Sequence, residues 1–583
     1  MMDALDRAIA NTQAHLESLR GHHGHWEGRL SSSALSTATA IVALSLVDCE
    51  KHAVFIQNGA QWLCDHQNAD GGWGDTTISK SNLSTTLLCW SALHLGAPTP
   101  SSAIASANTW ISAHIGSLEP KAIAKAVIAR YGKDKTFSVP ILMLCTLCGT
   151  LGKDGWRHVI PLPFELAALP RTWFGAVGLP VVSYALPALI AIGHARFYHA
   201  PPAWWNPLRW IRFLVWPRIR PMLQALQPSS GGYLEATPLT SFVSMALAGA
   251  GQLDHPCLLL AVQFLTQSMR EDGSWPIDTN LATWGTTLAM RSLNGDESLP
   301  NKDTEWLLSQ QYRAIHPFTN AAPGGWAWTD LPGGVPDADD TPSSLVALKK
   351  IGHVADTAIE QGVVWLLDLQ NRDGGIPTFC RGWGALPFDR STPEITAHAL
   401  LAWWTWHDGL SPSLQTRIAS ATERALRYLK ASQTADGAWI SLWFGNEHTP
   451  DENNPVYGTA QVINHLGGNS RLAAQARDLI QTGLTYLRAA QKPDGSFGGD
   501  ALAPASIEET AVALQALSVS SSPGDLASGM QWLLSATAEG TRFPSAPIGL
   551  YFARLWYHEQ LYPVIWTLGA LTSVRAAFGN SPS

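Results

Sequence analysis

The sequence predicts an all-α protein, a toroid of stacked helical hairpins. One pattern returns along the chain: an amphipathic helical run ending in Gln, followed by Asp-Gly and usually by Trp. A second apolar helical run commonly follows, and there is little strand-like alternation elsewhere. Helix pairs that return every ~50–60 residues indicate a repeat architecture in which neighbouring pairs bury each other's apolar faces. The clearest copies span residues 59–75, 261–275, 362–376, 425–439 and 483–499.

The residues of this repeat have readable structural roles. Asp-Gly favours a turn between two helices. The indole that follows is placed to pack over the preceding helix, and the Gln is placed to hydrogen-bond the start of the next one. Trp73, Trp275 and Trp439 are therefore predicted to hold the fold together and to take no part in chemistry.

The composition bounds the class of protein. At 583 residues the chain is long enough for more than one domain and a large core. Only 14% of the residues are charged and 46% are apolar, and the 26 Trp point to a repeat or to a large aromatic cavity. The net charge of −8 argues against nucleic acid as a partner.

The cysteines and the first residues favour a reducing compartment. Seven Cys are scattered along the chain, and the N-terminal run reads as an amphipathic helix of mixed charge, unlike a signal peptide. Cys145 and Cys148 share an apolar run, and no second pair stands at zinc-binding spacing, which favours core thiols.

The stretch 324–345, GGWAWTDLPGGVPDADDTPSSL, carries three carboxylates within four residues, Asp337, Asp339 and Asp340. Like charges this close cannot all ionise cheaply, so at least one proton is expected to remain near neutral pH. A proton held in an apolar, aromatic pocket is suited to protonating an alkene. A calcium loop would need spaced oxygens and a distal Glu, which do not follow here. A helix start at Asp340 explains only one of the acids.

A second unusual region covers residues 172–220. Its first 22 residues, 172–193, carry no charge and could span a bilayer by length, but two prolines argue against a span. Residues 204–221 then interleave arginines with tryptophans, which fits a membrane interface. The other interpretation is a buried aromatic helix pair with an exposed basic side. The region is expected to hold the protein on one face of a membrane as a monotopic protein.

Together, the repeated Q-x-x-DG-x-W pattern and PDADDT preceded by GGWAW resemble the squalene–hopene cyclase family of class II terpene cyclases. The resemblance covers nearly the whole chain. It implies two α/α-barrel (toroid) domains, one inserted into the other. Residues 1–29 and 281–583 would form the barrel that carries the acid motif, and residues 30–280 the inserted barrel with the membrane-facing segment. It also implies a large active-site cavity between the barrels, reached from the membrane.

The resemblance further implies roles for single residues. Asp339 matches the family's proton donor, and Asp337 and Asp340 match flanking acids that polarise it and accept hydrogen bonds. Aromatic rings suit such a site because their π faces stabilise a carbocation without capturing it as a nucleophile would. The rings placed at the substrate are Trp284, Trp326, Trp328, Trp443, Tyr184, Tyr457, Phe552 and Tyr557, with Tyr551 beside them.

The sequence departs from the family pattern in two places. Bacterial hopene cyclases carry a His after the next repeat that supports the acid, and the corresponding GGIPTFCRGWGALPFD has none. Cys380 is expected either to hydrogen-bond the acid or to be a packed thiol. Gly285 replaces the acid of the family's W-D-T segment, whose tryptophan matches Trp284.

The implied function is proton-initiated polycyclisation of a linear polyprene, squalene or a related triterpene, through carbocation intermediates. Such an enzyme would need no cofactor and no metal, would draw an apolar substrate from the cytoplasmic side of a membrane, and would allow a homodimer. The alternative is a class II cyclase of a prenyl diphosphate such as geranylgeranyl diphosphate, which would need Mg²⁺ and basic residues at the cavity mouth. Two further interpretations are a non-enzymatic membrane-associated scaffold, disfavoured by the flanked acid motif, and a protein prenyltransferase barrel, whose zinc ligands are not evident.

Overall fold

The protein is built almost entirely of helices, as the sequence predicts. The computed structural model describes residues 2–95, 101–132, 135–169, 173, 186–293, 301–317, 319–379, 381, 388–520, 523–550 and 554–579. The α-helices in these ranges are α1 (Met2–Ser18), α2 (Ala34–Asp48), α3 (Ala53–Asp65), α4 (Leu83–Leu95), α5 (Ser101–Ile115), α6 (Pro120–Tyr131), α7 (Lys135–Leu147), α8 (Leu186–His199), α9 (Pro207–Ala225), α10 (Thr237–Gly249), α11 (Pro256–Gln267), α12 (Ala282–Ser292), α13 (Asn301–Ser309), α14 (Asp340–Lys350), α15 (Thr357–Leu369), α16 (Pro393–Trp406), α17 (Pro412–Ser432), α18 (Pro455–Gly467), α19 (Ser470–Gln475), α20 (Arg477–Ala490), α21 (Ile507–Leu517), α22 (Pro523–Ala536) and α23 (Tyr562–Gly579). The strands are β1 (Ser32–Ser33), β2 (Trp275–Pro276), β3 (Phe444–Gly445), β4 (Ile548–Leu550) and β5 (Leu555–Tyr557).

Helices from the first half of the chain form a closed ring. α2, α4, α7, α8 and α10 each pack against the next, and α10 returns to α2. α3, α5, α6, α9 and α11 contact this ring from outside. The ring helices are apolar with small residues and are buried over most of their length, whereas an outer helix such as α3 is buried along one side only. This is the arrangement expected when amphipathic helices cover an apolar inner layer.

Helices from the second half form another ring. α12, α14, α16, α18, α21 and α23 pack in sequence, and α23 returns to α12. α15, α17, α20 and α22 lie outside this ring, and the N-terminal helix α1 joins them by packing on α23. The acid motif lies at the start of α14, so it opens one of the inner helices of this second ring.

The repeat motif is a recurring set of hydrogen bonds. Each repeat Trp donates its Nε1–H to the carbonyl ten residues earlier, and its backbone N–H donates to a Thr hydroxyl oxygen. The sets are Trp73 with Leu63 and Thr86, Trp275 with Leu265 and Thr37, and Trp439 with Leu429 and Thr459. The Gln amide donates to its own turn and to the next outer helix, as Gln433 does to Gly437 and Leu479. These contacts agree with the structural role predicted for the tryptophans.

Buried apolar residues fall into two clusters. One contains residues from 5–30 and from 284–574, and the other contains residues from 34–275 together with Val335 and Leu555. β1 and β2 pair antiparallel, Ser32 with Pro276 and Ser33 with Trp275, where the chain passes from one cluster to the other. On this basis we propose that residues 30–280 form the inserted domain and that 1–29 plus 281–583 form the other.

The segment 186–220 has an apolar outer side. On α9 the side chains of Trp210, Phe213 and Leu214 are 55%, 67% and 73% exposed, and Trp204 and Trp205 immediately before the helix are also exposed. These five residues, together with Ile211, are called the α9 patch below. No helix in the described ranges is long and apolar enough to cross a membrane.

The opposite side of α9 packs inward, which corrects part of the sequence interpretation. Arg212 is buried, with its Nε 2.8 Å from the Glu165 carboxylate and its guanidinium over the Phe164 ring. The Trp216 ring stacks on His194 at a centroid distance of 3.4 Å. These two residues therefore belong to the packing of this domain. The uncharged run that precedes α8 lies largely outside the described residues.

Candidate active site

A cavity of about 320 Å³ lies between the two core clusters and draws its wall from both. Most wall residues are aliphatic or aromatic, and the carboxyls of Asp337, Asp339 and Asp340 are among the few charged groups. An apolar cavity with a few convergent polar groups is the usual form of a small-molecule site. Its aromatic residues are Tyr131, Phe137, Phe242, Trp284, Trp328, Phe379, Phe388, Trp443, Phe444, Tyr557 and Tyr562.

The acid loop is held at the start of α14 by its own backbone. Asp337 Oδ1 accepts hydrogen bonds from the backbone N–H groups of Asp339 and Asp340, both at 2.8 Å. The backbone N–H of Asp337 donates to the Trp326 carbonyl at 3.0 Å, and the Thr341 hydroxyl donates to the Asp337 carbonyl at 2.6 Å. Asp337 thus supplies the cap for the helix that begins at Asp340, which leaves the Asp339 carboxyl available for another role.

The Asp339 carboxyl lies on the cavity wall with one oxygen bound. Its Oδ1 is 2.7 Å from Nδ1 of His398, and the side chain is 15% exposed. Burial raises the pKa of Asp339 to about 7, and the positive charge of Arg291 opposes this rise. A substantial fraction of Asp339 is therefore protonated at neutral pH, while an exposed Asp would be almost fully ionised.

The other two carboxyls, those of Asp337 and Asp340, interact with each other electrostatically. Burial raises the pKa of Asp337 to about 7, although hydrogen bonds from Asp340 and from two backbone N–H groups hold it down. Burial also raises the pKa of Asp340 well above its usual range, and the neighbouring Asp337 charge adds to this. Burial and the Asp337 charge thus both favour the protonated form of Asp340. This agrees with the expectation that the three acids do not all ionise at neutral pH.

His398 links the acid to a guanidinium. Its Nε2 is 2.8 Å from NH1 of Arg291, and its Nδ1 faces Asp339. A guanidinium has donors only, so Nε2 must be the unprotonated acceptor nitrogen. The proton of the neutral imidazole therefore sits on Nδ1, and the Nδ1–H donates to Asp339 Oδ1. Burial lowers the pKa of His398 well below its usual range, and the Arg291 charge adds to this.

A histidine does contact the acid, although the segment GGIPTFCRGWGALPFD contains none. The supporting residue is His398 on α16, 59 residues from Asp339 in sequence, because α16 packs beside α14 in the inner ring. The histidine lies beyond the segment directly after the next repeat, on the helix that follows it. Its one signal in the sequence is a lone imidazole in the otherwise apolar run TAHALLAWW. Cys380, considered as a substitute, lies outside the described residues.

Four of the predicted aromatic residues lie on the wall: Trp284, Trp328, Trp443 and Tyr557. The Trp328 ring meets Phe379 edge to face at 6.2 Å, and Phe379 meets Trp443 in the same way at 5.4 Å. Trp443 packs against the core cluster of the second ring, Phe379 packs against that of the first, and Trp328 packs against both. Phe379 was not expected from the sequence, because an aromatic in a loop carries no pattern that points to a cavity.

A second group of rings is joined through its polar ends. Trp284 Nε1–H donates to the Tyr562 hydroxyl at 3.1 Å, and the hydroxyls of Tyr562 and Tyr557 are 3.1 Å apart. The Tyr562 ring also stacks on Trp566 at 4.7 Å. These bonds satisfy the polar atoms at the ring edges, so the wall that they form presents mainly π faces. Tyr562 and Phe444 also lie on the wall and were not predicted from the sequence, and the same holds for Tyr131, Phe137, Phe242 and Phe388.

Two of the remaining predicted residues, Trp326 and Tyr457, are not among the described residues of the wall. Trp326 is fully buried and donates its Nε1–H to the Leu307 carbonyl and its backbone N–H to the Thr341 hydroxyl, as the repeat tryptophans do. A substrate contact for Trp326 finds no support in this position. Tyr457 is buried behind Phe444, with ring centroids 5.0 Å apart. Tyr184, Tyr551 and Phe552 lie outside the described residues.

Two further observations concern charge and metals. Among the described wall residues the one cation is Arg554, whose NH1 is 3.0 Å from Glu452 Oε2. Arg130 holds the other oxygen of the same carboxylate at 3.2 Å. No group of three or more His, Cys, Asp or Glu in the described part of the chain is arranged to hold a metal ion.

Comparisons with known proteins cover most of the chain. Residues 9–185 match the Squalene-hopene cyclase N-terminal domain family, and residues 277–541 match the Squalene-hopene cyclase C-terminal domain family. The Terpene cyclase-glycosyl transferase fusion protein fsoA of Humicola fuscoatra is 25% identical over 94% of this chain, which spans about half (48%) of that protein's length. The Probable squalene–hopene cyclase of Sinorhizobium fredii is 22% identical, with 98% of this chain and 97% of that protein aligned.

A solved structure supports the fold over the full length. The ent-copalyl diphosphate synthase from Streptomyces platensis aligns with 99% of this chain and 100% of its own, at a TM-score of 0.57 and 18% identity. At this identity the likeness shows the fold alone. The two family matches, the aligned relatives and the two-ring helical fold lead to one conclusion: the chain belongs to the squalene–hopene cyclase family.

Proposed function

We propose that the protein is a class II terpene cyclase that starts the polycyclisation of a linear polyprene by protonating a terminal alkene. The single observation that carries the proposal is the Asp339 carboxyl, which stands on an apolar, aromatic cavity wall with a pKa near 7. Family membership supports the same reaction class. Squalene or a related triterpene is the proposed substrate. The cavity wall and the acid supply the chemistry without a cofactor.

The proton transfer follows from the hydrogen bonds of Asp339. Oδ1 is engaged by the Nδ1–H of His398, so Oδ2 is the oxygen proposed to carry the proton. When the O–H bond breaks, a C–H bond forms at the less substituted alkene carbon and a tertiary carbocation is left at its neighbour. The Asp339 carboxylate that remains keeps the hydrogen bond from His398. The cation at the end of the cascade releases a proton, and Asp339 takes a proton back from solvent, so the net reaction is an isomerisation.

The wall suits the cations that follow. The π faces of Trp284, Trp328, Trp443 and Tyr562 offer negative electrostatic potential without a lone pair close enough to form a bond. Each aromatic ring in contact with a desolvated cation stabilises it by about 2 kcal/mol or more. The protonated state proposed for Asp340 also matters, because a neutral carboxyl is a poorer trap for a carbocation than a carboxylate.

One observation favours a second candidate, a prenyl diphosphate as substrate. Arg554 on the wall and Arg130 both pair with the Glu452 carboxylate, so a guanidinium stands at the cavity wall. A guanidinium is a suitable partner for a diphosphate. With such a substrate, Mg²⁺ would be expected to accompany the diphosphate while Asp339 kept its role as the acid.

Separate incubations distinguish the two substrates. Purified protein is given squalene or geranylgeranyl diphosphate, the latter with and without Mg²⁺, and the products are extracted and analysed by gas chromatography with mass spectrometry. The main proposal expects cyclic triterpenes from squalene that the Asp339→Asn variant does not form. Cyclised diphosphate alone would replace the main proposal by the second. No cyclic product from either substrate, with folded protein, would contradict both.

We further propose that the protein sits on the cytoplasmic side of a membrane through the α9 patch. Six large apolar side chains on one exposed side are more than a soluble surface usually gathers in one place. A linear triterpene is dissolved in the bilayer, so a monotopic enzyme can draw it into an apolar cavity without passing it through water. A homodimer is kept as a separate proposal, which mass photometry of the detergent-solubilised protein would check.

A further inference from the structure

We propose that Arg291 is a positioning residue for the proton transfer: it fixes His398 as the neutral Nδ1–H tautomer and supplies the permanent positive charge that stabilises the Asp339 carboxylate once the proton has left. The inference rests on the proposed function for its kinetic part. It assigns a role to a residue on α12 that the acid motif does not include and that does not line the cavity.

The first support is the linear order of the hydrogen bonds. NH1 of Arg291 lies 2.8 Å from His398 Nε2, and His398 Nδ1 lies 2.7 Å from Asp339 Oδ1. Without Arg291, the imidazole could hold its proton on either nitrogen, and only one of these tautomers donates to the acid. The guanidinium removes this choice because two donors cannot face each other at 2.8 Å.

The second support is the anchoring of the guanidinium. Its NH1 also lies 3.3 Å from the Ser343 hydroxyl, which in turn contacts the Thr287 hydroxyl at 2.8 Å. The Lys350 ammonium hydrogen-bonds the backbone carbonyl of Arg291. Ser343 and Lys350 both belong to α14, the helix that Asp339 precedes. The Arg291 side chain and backbone are therefore held by α14, the same helix that begins next to Asp339.

The third support is the distribution of charge around the pair. An imidazolium at His398 would stand beside the Arg291 charge, and the ring of His465 stacks on its face at 4.2 Å with the two planes 1° apart. An imidazolium would thus add a further positive charge next to the guanidinium, so the neutral imidazole is favoured and Arg291 carries the charge. Burial lowers the pKa of Arg291 only to about 10, so it remains charged at neutral pH. The titratable groups that face the Arg291–His398–Asp339 row are Asp337, Asp340, Lys350, Glu394, Tyr457, His465 and Tyr557.

The expected consequence is an acid of tuned strength. The Arg291 charge favours the Asp339 carboxylate and so holds down a pKa that burial raises. When the charge is removed, Asp339 becomes a weaker acid that stays protonated to higher pH. A weaker acid transfers its proton more slowly even when it is fully protonated, because general-acid rates follow acid strength.

The test compares Arg291→Met with Arg291→Lys and the wild type. For Arg291→Met we expect kcat on the acidic plateau to fall by about ten- to a hundredfold. We expect the falling limb of kcat to move to higher pH and KM to change little, since Arg291 does not line the cavity. Arg291→Lys keeps the charge and should hold the limb near its wild-type position. If Arg291→Met left both the plateau value of kcat and the pH of its falling limb unchanged, the positioning role of Arg291 would be overturned.

Two further readouts need no substrate and so separate this inference from the proposed function. In protein labelled with ¹⁵N-histidine, and with His398→Gln to assign the signal, wild-type His398 should show a protonated Nδ1 and an unprotonated Nε2, and Arg291→Met should lose this preference. The infrared carbonyl band absent in Asp339→Asn should titrate at higher pH in Arg291→Met than in wild type. A protonated Nε2 in the wild type, or an unmoved carboxyl titration, would overturn the inference even if the polyprene substrate proved wrong.

A matched control tests whether the effects are specific to Arg291 or follow from the loss of any partly buried arginine. Arg20 pairs with Asp303 and lies 4.8 Å over the ring of Trp26, which belongs to the same core cluster as residues of α12. Arg20→Met should lower the thermal midpoint while leaving the His398 tautomer and the Asp339 titration as in wild type. If Arg291→Met does not fold, the wild-type tautomer and the Arg291→Lys titration still decide the inference.

Discussion

The Nδ1 atom of His398 lies 2.7 Å from Oδ1 of Asp339, and Oδ2 of Asp339 has no hydrogen-bond partner among the described residues. The two oxygens of one carboxyl are thus unequal. The first is stabilised by an N–H donor, and the second faces no competing donor that would hold its proton. An acid built in this way releases its proton to a substrate in the cavity more readily than to its own surroundings.

The first prediction concerns Asp339→Asn. Asn has a similar shape and cannot deliver a proton, so cyclisation is expected to fall by at least about 10⁴-fold. The fold should remain intact, because Asp337 and not Asp339 caps α14. Product formation and the thermal midpoint measure the two effects separately.

The control is Asp356→Asn at the start of α15, where Asp356 Oδ1 accepts the Ile359 N–H at 3.0 Å. Asn can make the same cap, so this variant should keep both stability and turnover. Substantial cyclisation by a folded Asp339→Asn protein would remove Asp339 from the role of acid.

The second prediction is a pH dependence. Burial raises the pKa of Asp339 to about 7, so the donor form is complete well below pH 7 and is lost as the pH rises through 7. The rate at saturating substrate should therefore decline on the alkaline side, with a midpoint near 7. The measurement is kcat from pH 5 to 9, in buffers of constant ionic strength. A rate that rises through this range would show that the ionised form is the active one.

The helical rings could be predicted from the sequence because the repeat is local. Gln, Asp-Gly and Trp lie close together in sequence. The hydrogen bonds that they make within the repeat can therefore be predicted without knowing which distant residues they contact. The acid motif was found for the same reason. His398 and Arg291 could not be found in this way, since they lie 59 and 48 positions from Asp339 and meet it only when α12, α14 and α16 close the inner ring.

Trp326 shows a second limit. It has the backbone and indole hydrogen bonds of a repeat tryptophan, but its Nε1–H reaches back 19 residues to Leu307 instead of ten. Because the spacing between the helix and Trp326 is longer than in the other copies, this copy of the repeat is not recognised from the sequence. The two tryptophans of GGWAW cannot be distinguished in the sequence. In the structure, Trp326 pairs with Asp337 and is buried in the core, whereas Trp328 lines the cavity.

The third prediction separates these two tryptophans. Trp328→Ala removes a π face from the cavity wall, so the cations should escape earlier, and the mixture of products should change in favour of partly cyclised ones. Trp326→Phe removes the indole N–H from a fully buried carbonyl, so it should lower stability by about 1–3 kcal/mol and leave the product mixture unchanged. Chromatography of the products and urea unfolding test the pair. Identical product mixtures from wild type and Trp328→Ala would place the cations elsewhere in the cavity.

The fourth prediction concerns the α9 patch and membranes. Burying one large apolar side chain contributes about 1.5–3 kcal/mol, so several of them should hold the protein firmly on a bilayer. A variant with Trp205, Trp210, Phe213 and Leu214 all changed to Gln should lose at least about a hundredfold in partitioning. Arg212 and Trp216 are left in place because they pack inward, and their replacement would test folding instead. The measurement is flotation with vesicles of phosphatidylcholine and phosphatidylglycerol.

The control replaces four comparably exposed apolar residues outside α9 with Gln: Val54, Ile315, Val354 and Leu502. None of them is adjacent in sequence to another exposed large apolar residue, so their loss should reduce total surface hydrophobicity without changing flotation. The α9 variant should also keep its thermal midpoint and turn over a substrate presented in detergent micelles, while losing activity toward the same substrate dissolved in vesicles. If the wild-type protein instead stays in the aqueous fraction, the membrane contact is wrong. A water-soluble substrate such as a prenyl diphosphate then becomes the better proposal, because the protein would have no route to a hydrocarbon dissolved in the bilayer.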